Sequence, residues 1–296
     1  MAGALMLGAM GAQAAGVVTF SVHNDAPVNG MWIMRPWVGI SDGNFTTYTV
    51  GSAATTGVKH EAEDGVTGSG NGGDVNPTPP NTCSGAVGAY TGSDCLFQQF
   101  SAYGNGYSQT SIGNPTAPNA TISGTLAADE LNPNGGRLSY LIMAIPTNDT
   151  FFGTATASSL SLFDGSGNFN GGNGNIVIHV FASDLLDAGT EINDECNVNG
   201  NDVAFLCQGT PGTGRAENGL VHAQSAFGTG ISGRTGPAGF GSPAFTAIND
   251  GFTNPGNSIA TITISFVATP EPATFVLFGL SAGALALVQA RRKRNA

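Results

Sequence analysis

Three acidic side chains, Asp149, Asp187 and Glu191, stand in segments suited to a hard divalent cation. Asp187 and Glu191 belong to the stretch 183–195, which packs the carboxylates Asp184, Asp187, Glu191, Asp194 and Glu195 into one turn-rich segment of a chain that is only 10% charged. Like charges this close repel unless water or a cation compensates them. Ca²⁺ takes about six to eight oxygen ligands in flexible geometry, and the glycine turn Asp187-Ala188-Gly189-Thr190-Glu191 suits it. Asp149 lies in Pro146-Thr147-Asn148-Asp149-Thr150, directly behind the most apolar run of the chain. Asp149 and Asp187 also have a plainer reading, as turn residues whose carboxylates accept from nearby backbone. Asp194 and Glu195 read as solvated surface charges.

Other chemistries lack their residues. The chain has no G-x-S-x-G elbow, no H-E-x-x-H and no phosphate-cradling loop, and His23, His60, His179 and His222 are scattered. The segment 195–206 fails as an EF-hand loop because Leu206 stands where a bidentate Glu belongs. Asp187 and Glu191 as a glycosidase-like carboxylate pair are the alternative function, that of a secreted hydrolase, but no aromatic sugar platform is nearby. The net charge is −11, and four of the nine basic residues are Arg291, Arg292, Lys293 and Arg294. Setting aside that tail and Glu271 leaves 5 basic against 19 acidic residues. Such a body repels nucleic acid and anionic lipid. The expectation is a protein that is not an enzyme.

The elements that must hold these acids are strands. With 45 glycines and few strong helix formers, the composition predicts short strands joined by turns. Residues 17–23 alternate as an opening strand, residues 31–40 and 45–50 read as two more, and Ser41-Asp42-Gly43-Asn44 as the turn between them. A helical turn is expected near 58–64, followed by a long Gly/Asn-rich surface excursion over 65–118. Strands are again expected at 120–126, 137–145 and 175–181. At 260–266, Ala260, Ile262, Ile264 and Phe266 alternate with Thr261, Thr263 and Ser265. The fold class is all-β, an antiparallel β-sandwich with long Gly/Asn-rich loops. If the strands ending near 145 and 181 are neighbours, Asp149, Asp187 and Glu191 converge at one end of it.

Both ends look like addresses. Residues 1–15 are apolar and small, with Ala12-Gln13-Ala14 in the form of a signal-peptidase site but without a basic n-region. Cys83 and Cys95 form one local pair, Cys196 and Cys207 another. Four cysteines allow about three connectivities, of which proximity favours 83–95 and 196–207 in an oxidising compartment; zinc is the weaker reading. The chain ends in Pro270-Glu271-Pro272, an apolar run over 273–288 and the basic cluster. This order resembles the PEP-CTERM sorting signal. The resemblance implies transient inner-membrane anchoring, processing by an exosortase, and a final place at the cell surface or outside it. A simple membrane anchor is the other reading of the tail.

A second resemblance is to the spondin N-terminal domain family. It is carried by Pro146-Thr147-Asn148-Asp149 with Phe151-Phe152-Gly153, by Asp187-Ala188-Gly189-Thr190-Glu191 with Asn193-Asp194-Glu195, and by Glu61-Ala62-Glu63-Asp64-Gly65. It spans most of residues 16–268 and implies a β-sandwich with structural Ca²⁺ on Asp149, Asp187 and Glu191. It further implies a biofilm adhesion or matrix role with exopolysaccharide or other surface proteins as partners. Glu191 departs from the aspartate of the animal members, and Asn148-Asp149-Thr150 from their proline-aspartate-tryptophan. The expected division is therefore signal peptide 1–15, sandwich 16–268 and sorting signal 269–296.

Overall fold

The computed structural model describes residues 15–68, 95–113, 115–145, 147, 149–155, 160–190, 218–226 and 246–269. In chain order the first elements are β1 (Gly16–Asn24), β2 (Trp32–Ile33), β3 (Trp37–Ser41), α1 (Thr56–Asp64), α2 (Leu96–Tyr103) and β4 (Gly106–Ser111). Then come β5 (Thr121–Ala128), β6 (Arg137–Ile145), β7 (Thr150–Gly153), β8 (Leu160–Ser161) and β9 (Ile176–Phe181). The last are β10 (Leu186–Asp187), β11 (His222–Ala223), α3 (Asp250–Thr253) and β12 (Ser258–Ala268).

Alternating residues make a sheet with one dry and one wet face. β1 buries Val18, Phe20 and Val22 and turns Thr19, Ser21 and His23 outwards. β12 does the same with Ile262 and Ile264 against Thr261, Thr263 and Ser265. The two pair antiparallel from Gly16 opposite Ala268 to Asn24 opposite Ala260. With β5 and β9 they form a four-stranded sheet in the order β5-β1-β12-β9.

The second sheet has eight strands, with the path β11-β10-β7-β6-β3-β4 and with β2 and β8 pairing along β6. Its inner face meets the first sheet in a core that includes Phe20, Val38, Ile40, Leu138, Ile142, Phe152, Ile262 and Ile264. Along its central strands β3 and β6 the other face is dry as well. Trp37, Leu141 and Phe151 pack there with Val58 and Ala62 of α1 and Leu96 and Phe100 of α2. Double burial explains why residues 138–145 are nearly all apolar and all buried. On one side β4 lies beside β5, where Ser108 Oγ donates to the Ala127 carbonyl at 2.6 Å.

The antiparallel sandwich forms as expected, with strands where 17–23, 120–126, 137–145, 175–181 and 260–266 predict them. Three local expectations change. Residues 31–40 are two strands, β2 and β3, because Pro36 lacks an N–H and restricts Arg35 before it. Residues 45–50 are not a strand. Their side chains are spent elsewhere: Thr47 Oγ1 donates to the Thr154 carbonyl, Tyr48 OH to Gly153 O at 2.8 Å, and Phe45 packs edge-on to Phe100 at 5.0 Å. The excursion 65–118 contains α2 and β4, so its second part belongs to the domain body. The helical turn near 58–64 is α1, which starts on Thr55, whose side chain accepts from Val58 N, and ends on Gly65 at φ 61°.

Candidate functional site

Asp149 and Asp187 come together, though not by the expected route. β6 and β9 are not neighbours, since they lie in different sheets. After β9 the chain makes a 3₁₀ turn at Ala182–Asp184 and crosses to the second sheet as β10. β10 pairs with β7, so Asp187 lies opposite Thr150, the residue after Asp149. The crossover is what brings the two loops to one strand end.

Both carboxylates are fully buried. The Thr190 N–H donates to Asp149 Oδ2 at 2.9 Å and the Ala188 N–H to the Asp149 carbonyl at 3.1 Å. Asp187 Oδ1 accepts from the Gly189 N–H at 2.6 Å, so its turn-residue reading is realised as well. Gly189 holds φ 64°, and a Cβ there would meet the backbone of Leu220. Asp187 Oδ2 stands 3.8 Å from Nε2 of His222, its cross-strand neighbour on β11. Thr147 supports the Asp149 turn, accepting from the Thr150 N–H at 3.1 Å.

Glu191 lies outside the described residues, as do Cys83, Cys196 and Cys207 and the sorting residues Pro270, Glu271, Pro272, Arg291, Arg292, Lys293 and Arg294. Cys95 is buried and disulfide-bonded, with its partner outside the described residues. Among the described residues no three His, Cys, Asp or Glu side chains form a metal-sized group. The two aspartates nevertheless fit a hard cation: both donors are carboxylate oxygens, with a backbone carbonyl and the Thr190 hydroxyl alongside.

Two features escaped the sequence. His222 reaches Asp187 through a two-residue strand, too short to show a periodicity. Glu61 and Glu63 are buried on α1, which packs against β6 and β7, and Lys59 lies 3.4 Å from Glu63. The glutamate-rich end of α1 was legible as a motif, but its burial was not. A separate cavity of about 470 Å³ opens between β9 and the second sheet, lined among others by Tyr48, Tyr140, His179 and Asp184. Burial, and then the negative charge of Asp184, push the Tyr48 phenol up to about 12. Burial likewise raises Tyr140.

Residues 268–293 match the PEP-CTERM protein-sorting motif. The tail is a sorting signal. The chain is accordingly an exported protein handled by an exosortase, directed to the cell surface or the extracellular space. No curated protein matches it. Nothing in these comparisons supports the spondin resemblance, which stands on its motif residues alone. Among the described residues no helix is long and apolar enough to cross a membrane, and the run 273–288 lies outside them.

Proposed function

We propose that the exported domain is a spondin-like adhesion or interaction module of the cell surface or extracellular matrix, stabilised by one Ca²⁺ where β7 meets β10. The observation that carries this reading is the pair of fully buried aspartates, Asp149 and Asp187, on adjoining strand ends. Buried carboxylates side by side call for positive charge. Among the described residues, Nε2 of the exposed His222 ring stands 3.8 Å from Asp187 Oδ2 and is charged only when protonated. Asp149 and Asp187 would hold the ion, with Glu191 as the third carboxylate from the same turn. The ion would supply charge neutralisation and fasten the 149 and 187–191 loops together. Burial also disfavours a hydrolytic role, because neither carboxylate offers surface to a glycoside.

Adhesion is the role that suits an exported, ion-fastened module, with exopolysaccharide or other surface proteins as partners. Thermal melts of the wild type and Asp187→Ala, each with Ca²⁺ and with EGTA, test the ion. The wild type should gain melting temperature in Ca²⁺ and the variant should not. A wild type that melts identically in Ca²⁺ and EGTA removes the proposal.

A further inference from the structure

We propose that the cavity between β9 and the second sheet is a binding site for a primary alkylammonium group, the protonated end of a free amine or of a lysine side chain. Asp149 and Asp187 do not line it, so the site stands apart from the calcium reading. Its walls come from both sheets. Ile178 and Asp184 contribute from the side of β9, and Tyr48, Tyr140, Phe152 and Leu186 from the other. The volume of about 470 Å³ falls within the range of small-ligand sites.

Three oxygens in the lining have accepting capacity to spare. Tyr48 donates its one hydroxyl proton to the Gly153 carbonyl at 2.8 Å, so its oxygen has only lone pairs left to offer. Asp184 accepts from the Phe181 N–H through Oδ2 at 2.9 Å, and among the described residues its Oδ1 makes no hydrogen bond. Tyr140 is only 6% exposed, yet among the described residues its hydroxyl has no hydrogen-bond partner and is not sealed from the cavity. A phenol buried this deeply normally has a polar partner. An ammonium supplies one, for its three N–H donors match a carboxylate and two phenol oxygens.

Charge separates this ligand from the other small molecules the cavity could hold. No Lys or Arg lines it. His179 does, but its Nδ1 meets Thr261 Oγ1 at 3.1 Å on the outer face of the first sheet. Burial above all, with the charge of Asp184 adding to it, keeps both phenols protonated. With His179 neutral, the one formal charge of the lining is therefore the Asp184 carboxylate. An anion would be repelled there, and a neutral saccharide would leave that charge unanswered. Aromatic rings favour a cation further. Phe152, Ile178 and Leu186 give its alkyl chain an apolar wall. A quaternary ammonium would lose the N–H donors, which is why the primary amine is the better fit.

Isothermal titration calorimetry of the full chain in Ca²⁺ near neutral pH tests the site, with pentylammonium, pentanol, tetramethylammonium, acetyl-lysine amide and cellobiose as probes. Pentylammonium should bind one per chain, about tenfold more tightly than pentanol or tetramethylammonium. Asp184→Asn keeps an acceptor for the Phe181 N–H but removes the charge, and should weaken pentylammonium about tenfold. Tyr140→Phe removes one oxygen and should weaken it about fivefold. Neither substitution should change the weak affinity for pentanol, which a merely damaged cavity would lose. Binding of acetyl-lysine amide alongside pentylammonium assigns the site to a partner's lysine, and its exclusion assigns it to a free amine. Equal affinity for pentylammonium and pentanol, tighter binding of cellobiose, amine binding that survives both substitutions, or no amine binding at all each overturn the proposal.

Discussion

The first sheet keeps one face wet, while the central strands β3 and β6 of the second, between the first sheet and the helices, keep neither. On the first, each outward position of β1 and β12 from 19 to 23 and from 261 to 265 is Thr, Ser or His. On the second, the equivalent positions hold Trp37, Leu141 and Phe151 under α1 and α2. The difference shows how one antiparallel sandwich writes two sequence patterns, alternating where water touches it and continuous where a helix does. It also shows where buried charge is tolerated. Asp149, Asp187, Glu61 and Glu63 all belong to the doubly covered side.

Four measurements press on this comparison. The largest contrast is between outward-facing residues of the two sheets. Leu141→Ala should cost about 2–5 kcal/mol in urea unfolding, whereas Thr263→Ala should stay within about 0.5 kcal/mol. Similar losses would erase the distinction between the sheets. Next comes the buried acid pair: at free Ca²⁺ of about 100 times Kd, the wild type should gain about 2.7 kcal/mol over EGTA, a gain absent in Asp187→Ala. Smaller is the cap of the covering helix. Thr55→Ala removes the acceptor of the Val58 N–H and should cost about 1 kcal/mol.

The smallest effect concerns alkaline pH. The folded Tyr48 phenol lies above its ordinary value of 10.0, raised to about 12 by burial and by Asp184. The unfolded chain releases this proton first, so the contribution is whole below the ordinary value and is lost as pH rises towards the folded one. Tyr48→Phe should flatten that limb of a stability-versus-pH curve. An unchanged slope would place the alkaline sensitivity in other groups.

Much of the architecture was legible because periodicity records burial. β1, β6, β9 and β12 each carry a pattern long enough to read. β4 does not: Gly106-Tyr107-Ser108-Gln109-Thr110-Ser111 is polar throughout, and it holds its place by pairing with β3 and by Gln109 Oε1 accepting from Trp37 Nε1 at 3.0 Å. Residues 45–50 mislead in the opposite sense, since Phe45 and Tyr48 are apolar anchors of a loop. At the candidate site, residue type pointed to Asp149 and Asp187, but their route together was hidden. A two-residue pairing such as β7 with β10 leaves no periodic trace, and neither does the crossover between sheets that creates it.

The partnership of the first strand with the last also sets a clock. Ala15 and Thr269 are 254 positions apart, so β1 and its first partner β5 leave the export channel long before its second partner, β12. Contacts so distant in sequence form slowly, because a long loop must close before they repay it. Until then β1 can pair with β5 on one side only, and its other edge stays open to aggregation. Assembly of this sheet is therefore a late event that follows passage of nearly the whole chain, and the interval before it is when the protein most depends on being kept apart from its copies.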